Sequence, residues 1–423
     1  MVPRPLRILV TSTLYPPIAV GGYERECAIV VERLREEHEV LVLTGAGGRE
    51  EVFGEAGVRR ELTVLTPDQR GSLRALPASI AAARSARRAL EFRPDLVYSW
   101  NGSSIPQAAL RVLADSGTPM AFRVCEHWFG RLFLTDQFLR ELTPARRSPS
   151  RAGWSALCRL TNRAVPGLRL DPRRRFPAAI SWNSEAIRRL GGLPPMVEPA
   201  FERVGHSVPR AGGLYEAVVR EPAAVPEILF VGRVTPYKGL DVAIEALALL
   251  RAEPGLGDVR LRVVGPEDEP HGTELRDQAQ RLSVADAVDW IGAVDPDGVA
   301  AALARAHVLL VPSVWEEPFP LVTIEGAFAR VPLVASDVGG IREGMQDEEH
   351  ALLYPAHAPA TAAAALARTL REPAATAARV ERAHERAQAF RLKPYLEDQA
   401  RFVSDAYAAL TASAVSSPTS AGV

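Results

Sequence analysis

The chain has 423 residues, of which 47% are hydrophobic and 24% charged, and its formal net charge is −1. That length suggests two or three domains of ordinary globular composition, and the balanced charge gives no reason to expect a nucleic-acid partner. Cys27, Cys125 and Cys158 are odd in number and scattered, which excludes a disulfide framework or a metal spacing and fits a reducing compartment.

The apolar run at 6–10 is shorter than a signal-peptide core, and no cleavage site follows it. No run approaches a membrane span. The expectation is a cytoplasmic protein, with peripheral contact at the inner membrane face left open.

Residues 6–11 read as a first strand, followed by the loop TLYPPIAVGGYE and a helix over 24–36. A strand at 38–43, a long helix at 73–92 and a strand at 96–99 come next. A helix after Pro106, a strand at 120–124 and another at 180–182 complete the first alternation, with a helix starting at Ser184. Residues 192–226 are rich in Pro and Gly and read as a linker or boundary. The alternation then restarts with a strand at 228–231, a helix at 240–251 and strands at 261–264 and 288–291. The apolar runs 307–311 and 332–335 enclose a helix starting near Leu321, which makes a βαβ unit. After Pro355 the pattern is helical to about Ala412, and the rest reads as disordered. Alternation that runs twice predicts an α/β protein of two doubly wound domains.

Within the βαβ unit, Glu317 and Glu325 are separated by seven residues. Pro320 breaks any helix through both, and eight helical steps would already separate them by roughly 12 Å. They are not an acid and nucleophile acting on one bond; they would address two parts of one extended ligand. The alternative is a first-turn glutamate serving the helix dipole and a solvated one.

Upstream, FVGRVTPYKG places Arg233 and Lys238 in a strand-to-helix loop beside Gly232 and Gly239. Two cations there suit a diphosphate, Arg as a fork and Lys as a point charge. Gly21 and Gly22, between the first strand and its helix, would let the backbone approach an anion, or form a plain tight turn. Asp295-Pro296-Asp297 could hold a metal, but Asp297 reads more simply as a helix cap, and no metal is expected. In FRVCEHW, Glu126 and His127 could meet a hydroxyl or form an ordinary polar loop. The segment 140–175 holds ten arginines against Glu141 and Asp171, with Trp154, Leu157 and Leu160 interleaved. It reads as a solvated basic face or as a contact with an anionic membrane or phosphorylated acceptor.

Together, EEPFPLVTIEGAFARVPLVASDVGG, FVGRVTPYKG and the Gly21-Gly22 loop resemble the retaining nucleotide-sugar glycosyltransferases of family four. The resemblance covers nearly the whole chain and is weakest over 130–175 and 192–226. It implies the GT-B fold, two Rossmann-like domains facing across a cleft. The domains would be 1–205 on the acceptor side and 227–390 for the donor, joined by a linker at 206–226. A helix at 391–412 would cross back to the first domain, leaving a tail at 413–423.

By position, the resemblance implies that Arg233 and Lys238 hold the donor diphosphate and stabilise the leaving group. Glu325 would hold the ribose hydroxyls, and Glu317 the hydroxyls of the donor sugar. Gly22 and Gly21 would approach the donor. The family often has Gly at Pro320, so the amides of Phe319 or Leu321 would serve instead. A family histidine is replaced here by Cys125 or displaced to His127. The implied activity is metal-independent, cofactor-free hexosyl transfer from a nucleoside diphosphate-sugar to an acceptor hydroxyl, in glycan, glycolipid or natural-product synthesis. The alternatives are a sugar-nucleotide epimerase or hydrolase of the same fold, and a non-catalytic sugar-nucleotide-binding protein.

Overall fold

The computed structural model describes residues 4–18, 21–45, 56–65, 75–134, 136–143, 149–166 and 168–416. The chain divides into two units. The first holds residues 1–183, 187–205 and 396–423, and the second holds 184–186 and 206–395.

The first unit contains β1 (Arg7–Ser12), β2 (Glu39–Gly45), β3 (Val58–Leu62), β4 (Leu96–Ser99), β5 (Met120–Val124), β6 (Phe176–Trp182) and β7 (Val197–Val204). They form one parallel sheet in the order β3-β2-β1-β4-β5-β6-β7. The second unit contains β8 (Glu227–Val231), β9 (Arg260–Val264), β10 (Val288–Gly292), β11 (Val308–Val311), β12 (Leu333–Ser336) and β13 (Leu352–Tyr354). These are also parallel, in the order β10-β9-β8-β11-β12-β13.

The central strands are continuous apolar runs because helices cover both faces of a parallel sheet. β11 is VLLV and buried throughout. Each fully buried Leu or Val there contributes about 1.5–3 kcal/mol relative to exposure. Each unit has its own core, one including Leu9, Val97 and Phe122, the other including Phe230, Leu247 and Leu310.

The alternation predicted from sequence is present, and what it missed lies mainly at edges. β3 (VRREL) carries two arginines, and β7 (VEPAFERV) carries charges and Pro199. Among the described residues β7 pairs only with β6, and such an edge tolerates the proline. It occupies part of the stretch read as a linker, and a short helix, Gly212–Glu216, follows within the second unit. β13 and the polar helix His271–Arg281 were also unread.

The last helix runs Leu392–Ser416, past the expected end near Ala412. Residues 417–423 of the expected tail, and the start of the helix predicted from Leu73, lie outside the described residues. From Leu396 onward this helix belongs to the first unit. Tyr98 on β4 donates to Gln399 at 3.0 Å and packs against Phe402 at 5.7 Å between ring centres. Arg203 on β7 pairs with Asp398 at 2.9 Å.

Candidate active site

In each sheet the strand order reverses once, between β1 and β4 and between β8 and β11. The crevice beyond the carboxyl ends of such strands is where doubly wound sheets bind ligands. In the second unit, the loop after β8 carries Arg233 and Lys238, and the loop after β11 carries Glu317.

The β8 loop is shaped by Gly239, whose φ of 69° is left-handed. A Cβ there would also sit 2.0 Å from the Pro312 carbonyl oxygen, so only glycine fits. The preceding single turn, Pro236–Lys238, aims Lys238 at the β11 loop. Its Nζ donates to Glu317 Oε1 at 2.7 Å. The Val314 amide donates to the Tyr237 carbonyl at 3.0 Å, and the Tyr237 and Trp315 rings lie 4.9 Å apart. Arg233 is exposed and makes no ion pair among the described residues.

Glu317 is only 2% exposed. The same Oε1 accepts from the hydroxyl of Ser313, itself buried. This excludes the solvated reading of Glu317. Its loop is fixed by Gly339 and Gly340, just beyond β12. Gly340 donates to the Glu317 carbonyl at 2.7 Å, and Gly339 donates to the Glu316 carboxylate at 2.8 Å. A Cβ on Gly339, whose φ is 51°, would meet the Glu317 carbonyl oxygen at 2.2 Å. On Gly340 it would meet the Pro318 carbonyl oxygen at 2.3 Å. In the sequence these glycines stand only as the close of the motif EEPFPLVTIEGAFARVPLVASDVGG.

Pro320 caps the helix Leu321–Phe328 without a side-chain bond. Its carbonyl accepts from both the amide and the hydroxyl of Thr323, at 3.2 and 2.8 Å. Leu321 opens the helix, where the first amides lack intrahelical acceptors. Phe319 is buried, 4.7 Å from the His206 ring and 5.4 Å from the Phe390 ring. Glu325 is half-buried on the next turn, and its carboxylate has no hydrogen-bond partner among the described residues. Burial pushes its pKa up to about 7. Tyr215 lies close enough that, after burial itself, the Glu325 charge raises its hydroxyl further.

Gly21, Gly22 and His127 belong to the first unit. Gly21 caps the helix Gly22–Arg35, and its amide donates to the Glu24 carboxylate at 3.0 Å. Gly22 is exposed, with open space where a Cβ would be. His127 is half-buried shortly after β5, and Cys125 is buried. The cap of the helix Pro296–Arg305 is Asp295, not Asp297 as the sequence reading had it. Asp295 accepts from the Gly298 amide at 2.8 Å, with Pro296 in the first helical position. That position needs no N–H, so Asp-Pro was the signal that places the cap before the proline.

Residues 215–388 match the family described as glycosyl transferases group 1. The chain is 37% identical over 191 residues to a D-inositol 3-phosphate glycosyltransferase of Acidothermus cellulolyticus, spanning 40% of that protein's length. It is 27% identical over 402 residues, 90% of each chain, to a glycogen synthase of Mycobacterium tuberculosis. Among solved structures, sucrose-phosphate synthase from Thermosynechococcus elongatus aligns with a TM-score of 0.68 at 18% identity, over 96% of this chain and all of that one (100%). The Anabaena protein HepE, solved with UDP and glucose, aligns at 0.61 and 20% identity, over 95% of this chain and 100% of its own. These likenesses establish the GT-B fold.

Proposed function

Since residues 215–388 belong to the group 1 glycosyl transferases, we infer that this chain moves a sugar from a nucleoside diphosphate-sugar to an acceptor hydroxyl. The observation that carries this reading is the pairing of cationic and hydroxyl-binding groups where the second sheet reverses. Arg233 and Lys238 stand after β8, and Glu317 faces Lys238 from the loop after β11. The HepE complex with UDP and glucose supports a nucleotide-sugar donor.

The donor diphosphate takes Lys238 over from Glu317, and exposed Arg233 supplies a second charge-assisted contact. Both cations stabilise the negative charge that grows on the leaving diphosphate. Released from Lys238, Glu317 accepts hydroxyls of the donor sugar while Ser313 holds it in place. Glu325 accepts the ribose hydroxyls, which compensate its buried charge. The bond from the anomeric carbon to the diphosphate oxygen breaks, and the acceptor oxygen bonds to that carbon on the same face. The acceptor's proton leaves with the diphosphate, and the anomeric configuration is retained. The two cations take the part a metal would play, so the reaction proceeds with EDTA present.

The test is nucleoside diphosphate release from a panel of sugar nucleotides, with and without hydroxyl acceptors. The expectation is acceptor-dependent turnover, loss of it in Arg233→Ala and Lys238→Ala, and a retained anomer by proton NMR. Equal turnover by wild type and both variants contradicts the assignment. Turnover without any acceptor points to a hydrolase or epimerase, and donor binding without turnover to a non-catalytic protein.

A further inference from the structure

The helix Pro149–Ala164 of the first unit turns an apolar strip away from its core. At about 100° per residue, Gly153, Ala156, Leu157, Leu160 and Ala164 fall on one side, and all five are exposed. Leu157 is 46% exposed and Leu160 64%. The opposite side is anchored. Cys158 is buried in the first unit's core, and buried Ser155 donates to Glu141. A single exposed leucine is ordinary, but an apolar strip facing outward along a helix is not.

Arg159 and Arg163 border the strip, both exposed and neither ion-paired among the described residues. They also line a cavity of about 170 Å³ together with Asn162, Asp171 and Arg173. Asn162 is already committed to the backbone of Leu170, at 2.9 and 3.0 Å. Asp171 lies 3.7 Å from Arg173. Three guanidinium groups against one carboxylate leave the cavity cationic, beside an apolar ridge. That is the distribution of a helix lying in a lipid interface.

We propose that this strip and the arginine-lined cavity dock the protein on an anionic phospholipid bilayer. Leu157 and Leu160 enter the boundary between headgroups and acyl chains. Arg159, Arg163 and Arg173 meet headgroup phosphates, their stems lying along the apolar surface. The broad basic segment thereby narrows to one helix face and one cavity. The proposal is independent of the transferase reading, since its test uses only protein and lipid.

The test is co-sedimentation of the full chain with vesicles of phosphatidylglycerol in phosphatidylcholine, against phosphatidylcholine alone. Wild type is expected on the anionic vesicles only, and to be released by high salt. Leu157→Asp/Leu160→Asp and Arg159→Ala/Arg163→Ala should each lower the partition coefficient at least roughly tenfold. Unfolding transitions should stay unchanged, because these side chains lie at the surface. Should the aspartate pair fail to fold, the arginine pair still reads the outcome. Equal binding to neutral vesicles, or variants that sediment like wild type, overturns the proposal. So does binding of soluble glycerol phosphate with no vesicle binding. A dimer in analytical ultracentrifugation that the aspartate pair dissolves would also overturn it, assigning the strip to a second copy.

Discussion

Replacing Glu325 with Gln isolates the energetic consequence of a half-buried carboxylate that has no hydrogen-bond partner among the described residues. Burial moves its pKa from the ordinary 4.5 to about 7. The folded chain therefore binds this proton more tightly than the unfolded chain. The contribution of Glu325 to stability is greatest below about 4.5, falls as pH rises from there to about 7, and is flat above. A displacement of that size corresponds to about 3 kcal/mol at about 1.4 kcal/mol per tenfold in proton affinity, and partial exposure trims it toward about 2 kcal/mol. Gln is neutral at every pH. Glu325→Gln should match wild type near pH 4 and exceed it by about 2–3 kcal/mol near pH 8. Urea unfolding of both proteins at the two pH values reads the difference, and titrations common to both cancel. A gap that does not change with pH refutes the reasoning. A variant less stable than wild type at high pH would show that the carboxylate has a partner. A saturating nucleoside diphosphate, donating its ribose hydroxyls, should shrink the gap.

Glu317→Gln removes the counter-charge of Lys238 and should lower unfolding free energy by about 1.5–3 kcal/mol. An unchanged urea midpoint would mean that Lys238 and Glu317 do not pair in solution. Gly339→Ala puts a side chain at positive φ and against the Glu317 carbonyl oxygen. It should cost about 3 kcal/mol or more, read as a drop in thermal midpoint. A variant melting like wild type would show that the loop relaxes freely.

The central strands were legible because burial on both faces writes itself as a run of consecutive apolar residues, as at 8–10 in β1 and 228–231 in β8. Edge strands bury less, so the arginines of β3 and the proline of β7 hid them. The cations of the site could be placed because a strand, a glycine and a helix start fix their position locally. The contact between Lys238 and Glu317 could not, because it spans 79 residues of sequence. The same holds for Gly339 and Gly340, whose identity is set by a carbonyl two loops away. The Asp295 cap was within reach, since Pro296 marked the first helical position.

The most direct measurement is calorimetric titration of uridine, guanosine and adenosine diphosphates into wild type and Lys238→Ala. One nucleotide should bind wild type, and the variant should bind it at least about tenfold more weakly. Equal affinity in the two proteins, or no binding of any of the three, would contradict a diphosphate site between β8 and β11.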